Sequence, residues 1–258
     1  MKDKEPLYRQ LVNDARQSYE ERPESQNSKG VILTWHESCE EINFWTYWQG
    51  VGNLDAEIML VGQDWGHPDE GSRVIENIKK IKSGLPVGYL TGIELESVTD
   101  KNLKELFQAT FDYDITERCR ELFFTNLVLG YRSKWTSGNL RGSWITDDVP
   151  FFRRLADIIE PKVIICLGKD TFIGVVYALT GKRPRIVKYN AFLESDRNPI
   201  LAELPSGKRT AVFAEAHCGA IGTMNRNRPR SKGEPWGVKL ERQKEDWKKI
   251  KEYYDTVK

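Results

Sequence analysis

Polar side chains of the types that bind ligands and move protons follow apolar segments at several places in this 258-residue chain. Gln63 and Asp64 come directly after the run "AEIMLVG", and His67 lies three residues further on. Asn126 lies within "LFFTNLVLG", and His217 follows "TAVFAEA". Imidazoles and carboxylates are common general acid–base groups, and a buried amide without partners costs about 1–3 kcal/mol. These five residues are therefore candidates for one functional site.

Four apolar segments have the length and composition of buried strands that would carry these residues. They are short, rich in β-branched or aromatic residues, and end near glycine, as buried parallel strands do. The segments are "AEIMLVG", "LFFTNLVLG", "PKVIICLG" and "TAVFAEAHCGA". In an open parallel sheet, ligands bind at the carboxyl ends of the strands. Each candidate alone has a simpler explanation, as a helix cap or a satisfied polar residue, but the joint pattern favours a shared pocket.

Helical patterns alternate with these strands. Apolar residues recur at helical spacing, and the three stretches concerned are residues 100–111, residues 147–160 and the C-terminal residues 237–257. Strands that alternate with helices predict a three-layer α/β/α sandwich with a central, mostly parallel sheet. We expect a single domain over residues 1–258, with an N-terminal helical extension over about residues 1–50. Two long irregular segments, 133–148 and 224–237, are of a length that is usually functional or mobile.

Composition limits the classes of partner and compartment. The formal net charge is only +1, so an anionic partner must be bound by a local basic patch. The sequence contains no apolar run long enough to span a membrane. Its charged N-terminus lacks a signal-peptide pattern, which predicts a cytoplasmic protein. Four cysteines lie far apart, which predicts reduced thiols and no metal site.

Three motifs resemble those of the uracil-DNA glycosylase superfamily. The sequence Gly62-Gln63-Asp64-Trp65-Gly66-His67 is similar to the family's Gly-Gln-Asp-Pro-Tyr-His motif at the end of the first strand. The family asparagine on a central strand is matched by Asn126 in "TNLVLGYR". The last family motif begins with histidine, matched by His217 in "AHCGAIGTMNRNR". The order and spacing of the motifs agree, and the resemblance covers about Ala56 to Arg228.

The resemblance implies a uracil-DNA-glycosylase-like fold and base-excision repair of DNA. Such an enzyme flips the damaged base out of the duplex before it cuts the N-glycosidic bond. Asp64 would hold the attacking water and stabilise an oxocarbenium-like transition state, and His217 would hydrogen-bond the uracil carbonyl. Asn126 would read the uracil edge, since an amide offers both a donor and an acceptor. The Gln63 backbone would complete the pocket of a monomeric enzyme that needs no cofactor.

Departures from the family motifs mark where base choice is set. Trp65 and Gly66 stand where the family has proline and tyrosine, and they would shape the wall that excludes the thymine methyl group. The resemblance also implies an aromatic that stacks on the base, for which Tyr89 and Trp65 are candidates. Branches with an iron–sulfur cluster use a close cysteine pair near the N-terminus. Only Cys39 is available there, so no cluster is expected.

The segment after His217 would contact DNA. Cys218-Gly219 replace the Pro-Ser pair of the family, and the sequence "GTMNRNRPRSKG" follows. Met224 would be the apolar wedge that enters the vacated base space, or else a loop residue that caps the core. Arg226 and Arg228 would contact phosphates, for which guanidinium groups are suited.

Two other functions are compatible with parts of the pattern. The altered motifs permit a nucleic-acid or nucleotide-binding relative that recognises bases without cutting them. A flavodoxin-like enzyme acting on a phosphorylated substrate fits less well. The first loop lacks a P-loop lysine, and its acids Asp64, Asp69 and Glu70 would repel phosphate.

Overall fold

The computed structural model describes residues 3–35, 54–64, 98–113, 115, 122–134, 140–229 and 231–258. The predictions for Trp65, Gly66, His67, Tyr89 and Cys39 lie outside these ranges. The described helices are α1 (Lys4–Glu21), α2 (Val98–Phe111), α3 (Gly142–Ile159), α4 (Lys169–Thr180), α5 (Tyr189–Leu193), α6 (Ala220–Arg226) and α7 (Glu241–Val257). The described strands are β1 (Leu33–Thr34), β2 (Ile58–Gly62), β3 (Leu122–Asn126), β4 (Tyr131–Arg132), β5 (Val163–Leu167), β6 (Ile200–Glu203) and β7 (Arg209–Glu215).

Five strands form the central sheet in the order β3-β2-β5-β7-β6. Neighbouring strands from β3 to β7 pair in parallel, and β6 pairs with β7 antiparallel. The four strands predicted from apolar runs are thus confirmed, as is the mostly parallel sheet. Strand β6 was not predicted, because it lies at the edge and Leu201 at its centre is exposed, so it lacks the continuous apolar run of a buried strand.

Helices cover both faces of this sheet and complete three layers. Successive side chains of a strand point to opposite faces. Met59 and Val61 join a core with α1, α3 and α4, whereas Ile58 and Leu60 join a second core with α2 and α7. Helix α1 is part of the first core, in which Tyr8 is completely buried. None of the helices in the described ranges is long and apolar enough to cross a membrane.

The predicted helices are observed, with one displaced start. Helix α2 and helix α7 agree with the predicted segments within a few residues, whereas α3 begins at Gly142, earlier than the predicted residue 147. Proline disfavours a helix interior, yet Pro150 lies inside α3. The turns before it are anchored by Trp144, which is buried and donates from Nε1 to Ser25 Oγ at 2.6 Å. Tertiary contacts thus extend the helix upstream.

Candidate functional site

The carboxyl ends of three parallel strands bring the predicted residues to one edge of the sheet. Gly62, the last residue of β2, is in register with Asn126, the last residue of β3. The parallel ladder continues past both strands, because Val128 donates its backbone N–H to the Gln63 carbonyl at 3.1 Å. Strand β7 ends two residues before His217, beside the end of β5. The predicted clustering at this edge therefore has a direct basis in strand register.

Asp64 is held in a two-point ion pair with Arg132. The Arg132 Nε donates to Oδ1 and Nη2 donates to Oδ2, each at 2.9 Å. The Gln63 side chain adds a third bond, from its Nε2 to Asp64 Oδ2 at 3.0 Å. The Asp64 side chain is only 9% exposed and that of Arg132 only 2%. The carboxylate is thus largely shielded from solvent and fixed in orientation.

The sequence interpretation did not identify Arg132 as a site residue. Its strand β4 pairs antiparallel with β1, with Arg132 opposite Leu33, and this two-stranded ribbon carries the guanidinium to Asp64. One signal was available in the sequence. Arg132 directly follows the apolar run "LVLGY", and an arginine buried beside such a run needs a carboxylate partner. Which carboxylate it meets depends on a pairing between segments far apart in the chain.

Asn126 packs closely against β2 at position 62. A Cβ atom on Gly62 would lie 2.2 Å from Asn126 Oδ1. Asn126 is 4% exposed, and within the described part of the chain its side chain has no hydrogen bond. A buried amide in that state has its donor and acceptor available for a ligand. Gly62 and Asn126, from two separate motifs, therefore form one structural unit.

His217 presents a hydrogen-bond donor just beyond the end of β7. The backbone N–H of Gly219 donates to His217 Nδ1 at 2.9 Å, so the proton of the neutral ring lies on Nε2. Partial burial lowers the pKa of His217, and the negative charge of Asp64 acts in the opposite direction. Helix α6 packs on this segment, because a Cβ on Gly222 would lie 2.1 Å from the His217 carbonyl oxygen. The imidazole is therefore held in its neutral Nε2–H form.

Two hydrogen bonds to its last residue fix the end of β7. The Glu215 carbonyl accepts hydrogen bonds from Gly168 N at 2.7 Å and from the Tyr189 hydroxyl at 2.8 Å. The Glu215 side chain is fully buried, and among the described residues neither of its oxygens has a hydrogen-bond partner. Burial, together with the nearby charge of Asp246, raises the pKa of Glu215 well above its usual value.

Arg226 is placed differently from the prediction. Its guanidinium is buried, with Nε and Nη2 bound to Asp246 at 2.6 and 2.8 Å and Nη1 bound to Glu194 at 2.9 Å. Arg226 is 2% exposed and Asp246 is 3% exposed. This arginine joins α6 to α7 and does not face solvent, so we assign it a structural role. Arg228 is exposed, as the predicted phosphate contact requires.

Arg226→Ala should lower the free energy of unfolding by about 3–5 kcal/mol, because it leaves Asp246 buried without its charge partner. Arg228→Ala is the matched control and should change it by less than about 0.5 kcal/mol, as exposed substitutions usually do. Urea denaturation measures both values. Equal stabilities of the two variants would contradict the structural role of Arg226.

Helix α6 carries exposed apolar side chains beside His217. Met224, the predicted wedge, is 48% exposed, and Ile221 is 72% exposed one helical turn before it. The sequence interpretation missed Ile221, which lies closer to His217 in the chain. Both apolar side chains thus face solvent on one short helix that follows His217.

A separate cavity of about 560 Å³ lies away from these residues. Its walls come from α1, the segment after α1, β1 and α3, and its aromatic lining residues are Tyr19, Trp35 and Trp144. Arginine and glutamate side chains both line it, so its charge favours neither anions nor cations. Neither Asp64 nor His217 borders this cavity.

Thiols and acids do not form a metal site in the described ranges, where no group of three or more histidine, cysteine or acidic residues is arranged to hold a metal ion. Cys166 and Cys218 are free, buried thiols, and burial raises the pKa of both. Cys119 lies outside the described ranges.

No protein-family model and no curated protein matches the sequence at a significant level. Function must therefore be inferred from the site and its motifs.

Proposed function

We propose that the protein is a DNA glycosylase with a uracil-DNA-glycosylase-like fold that hydrolyses the N-glycosidic bond of uracil or a related deaminated base. The observation that carries this proposal is the arrangement of Asp64, Asn126 and His217 at the carboxyl ends of parallel strands. A carboxylate, an amide and a neutral imidazole supply the three kinds of contact that this hydrolysis needs.

Each side chain has a distinct role in the proposed reaction. Cleavage of the bond leaves positive charge on the sugar and negative charge on the departing base. The Asp64 carboxylate stabilises the sugar cation and orients the attacking water. The His217 Nε2–H donates to the base carbonyl on which negative charge develops. The Asn126 amide pairs with the uracil edge, and cytosine presents the opposite donor and acceptor pattern there.

The side chains exposed after His217 are of the types that would contact a DNA duplex with one base flipped out. Ile221 and Met224 are apolar side chains on α6 that would fill the space vacated by the base. Arg228 is exposed and follows this helix, where a guanidinium would contact a phosphate. Arg226 is not among the DNA contacts, because both its partners are carboxylates within the protein.

A panel of oligonucleotides tests this function. Each would carry one uracil, hypoxanthine, xanthine or mismatched thymine, in single-stranded and duplex form, with undamaged DNA as control. We expect an abasic product, detected as strand cleavage after alkali, from the uracil substrate. Absence of product from all substrates at high enzyme excess, with folded protein that binds DNA, would exclude the proposal.

One observation favours the alternative, a relative that binds nucleic acid without cutting it. Both oxygens of Asp64 are engaged by Arg132, and this pairing reduces the net negative charge available to a sugar cation. The alternative predicts salt-dependent DNA affinity without product. It also predicts that affinity for uracil-containing DNA exceeds that for the matched undamaged strand.

A further inference from the structure

The ion pair between Arg132 and Asp64 is the feature of the site that the three motifs do not explain. Its two bonds join two planar groups side by side, at 2.9 Å each, and Gln63 occupies a further position on Oδ2. A two-point contact of this kind sets the orientation of a carboxylate as well as its position. A lysine in the same place would set the charge without setting the plane.

Stability alone does not account for this pair. A buried ion pair loses much of its Coulombic gain to desolvation, and replacement by well-packed apolar residues is often neutral or stabilising. Arg132, at 2% side-chain exposure, is nevertheless buried with its charge against Asp64. The position of Arg132 also depends on the pairing of β4 with β1, in which Arg132 lies opposite Leu33. The arrangement is better explained by an effect on the site.

That effect extends to His217. Burial lowers the pKa of His217, and the negative charge of Asp64 acts against that lowering. A positive charge bound to the same carboxylate weakens this field. Protonation of Nδ1 would remove the acceptor of the Gly219 N–H. A compensated Asp64 thus helps to keep the ring neutral and the segment after β7 in place.

We propose that Arg132 is a positioning residue that fixes the Asp64 carboxylate and balances its charge beside His217. The positioning part rests on the proposed glycosylase function. The charge-balancing part is a property of the folded protein whether or not it cuts DNA. Two substitutions separate the two parts. Arg132→Lys keeps the positive charge but loses the two-point contact with Asp64, whereas Arg132→Gln loses both the charge and that contact.

Two measurements test the proposal on the 258-residue chain. The first is an NMR titration of the His217 ring in wild type and both variants. The chain has only three histidines, so substitution of His36 and His67 assigns the signals. The second is the dependence of kcat and KM on pH with uracil-containing DNA. The titration needs no activity, so a protein that does not cut DNA still gives a result.

Arg132→Gln should raise the pKa of His217, and Arg132→Lys should leave it near the wild-type value. Both variants should lower kcat roughly 100-fold with little change in KM, since misplacement of a catalytic group by about 1 Å has effects of that size. Arg132→Gln should also move the acid limb of the pH profile to higher pH.

An unchanged pKa of His217 in folded Arg132→Gln would overturn the charge-balancing role. If Arg132→Gln does not fold, Arg132→Lys still decides the positioning role, and full activity of Arg132→Lys would overturn it. Loss of activity in both variants with an unmoved acid limb would indicate a merely structural arginine and would contradict the proposal. A wild-type protein without product, but with the expected shift of the pKa of His217, would refute only the glycosylase function.

Discussion

Asp64→Asn should lower single-turnover cleavage of uracil-containing DNA roughly 1,000-fold, while the dissociation constant for that DNA changes by less than about threefold. Asparagine keeps the size of the side chain and removes the negative charge. A charge that acts on the sugar cation contributes mainly in the transition state, so its loss lowers the rate and not ground-state binding. Single-turnover kinetics and fluorescence anisotropy measure the two quantities.

The same substitution leaves Arg132 buried beside a neutral amide. Removal of one partner of a buried ion pair destabilises a protein, here by on the order of 3 kcal/mol. A loss of activity in Asp64→Asn could therefore result from disruption of the structure of the site and not from loss of the catalytic charge. The double variant Asp64→Asn/Arg132→Met removes both charges and should recover part of the lost free energy of unfolding.

The double variant decides between the two explanations. If Asp64 acts chemically, the double variant is more stable than Asp64→Asn and equally inactive. If the ion pair only holds the edge of the sheet together, activity returns along with stability. Urea denaturation and single-turnover rates on the same preparations give the answer. An Asp64→Asn variant with wild-type rates would favour the binding function instead.

The parallel sheet was predictable because its strands are buried on both faces. Ile58 to Val61 and Val163 to Leu167 are continuous apolar runs, a pattern that also favours parallel pairing. Strand β6 and the ribbon of β1 and β4 could not be predicted in the same way. They are short, and what holds them is pairing with a distant segment, such as Leu33 with Arg132.

Arg226 and Arg228 show the limit of sequence interpretation at the site. Both lie in one basic segment, "NRNRPR", after the third motif, and their chemistry is identical. The structure buries the first against Asp246 and exposes the second. The difference follows from α6, which turns position 226 toward α7. Residue type and spacing predicted a basic surface, but burial determines which arginine is free to contact a phosphate.

Arg132 was missed for a related reason. The acid in the first motif was recognised by its place at a strand end, where a carboxylate has many possible partners. Its actual partner lies 68 residues away in the chain, on a strand whose position depends on a third segment. The position of Asn126 near the end of β2 was easier to predict, because the register between adjacent parallel strands puts the ends of two apolar runs side by side.

His217→Asn should lower the cleavage rate roughly 100- to 1,000-fold, the effect of losing one hydrogen-bond donor to a developing oxyanion. The asparagine Oδ1 can take the place of Nδ1 as acceptor of the Gly219 N–H, whose bond to His217 is 2.9 Å long. The shorter side chain has no counterpart of Nε2–H at the base carbonyl. The segment after β7 should thus stay in place while the donor is lost.

His217→Leu is the matched comparison, because it removes both the acceptor and the donor. It should match the low rate of His217→Asn and in addition weaken DNA binding, since the start of α6, with Ile221 and Met224, is no longer held.

Wild-type activity should fall in acid with a midpoint below about 6.5, the ordinary value for histidine, because the pKa of His217 is lowered. The residual activity of His217→Asn should lack this component. A His217→Asn variant that retains both the wild-type rate and the acid limb would show that another group donates to the base, and the assignment of Nε2–H would then be wrong.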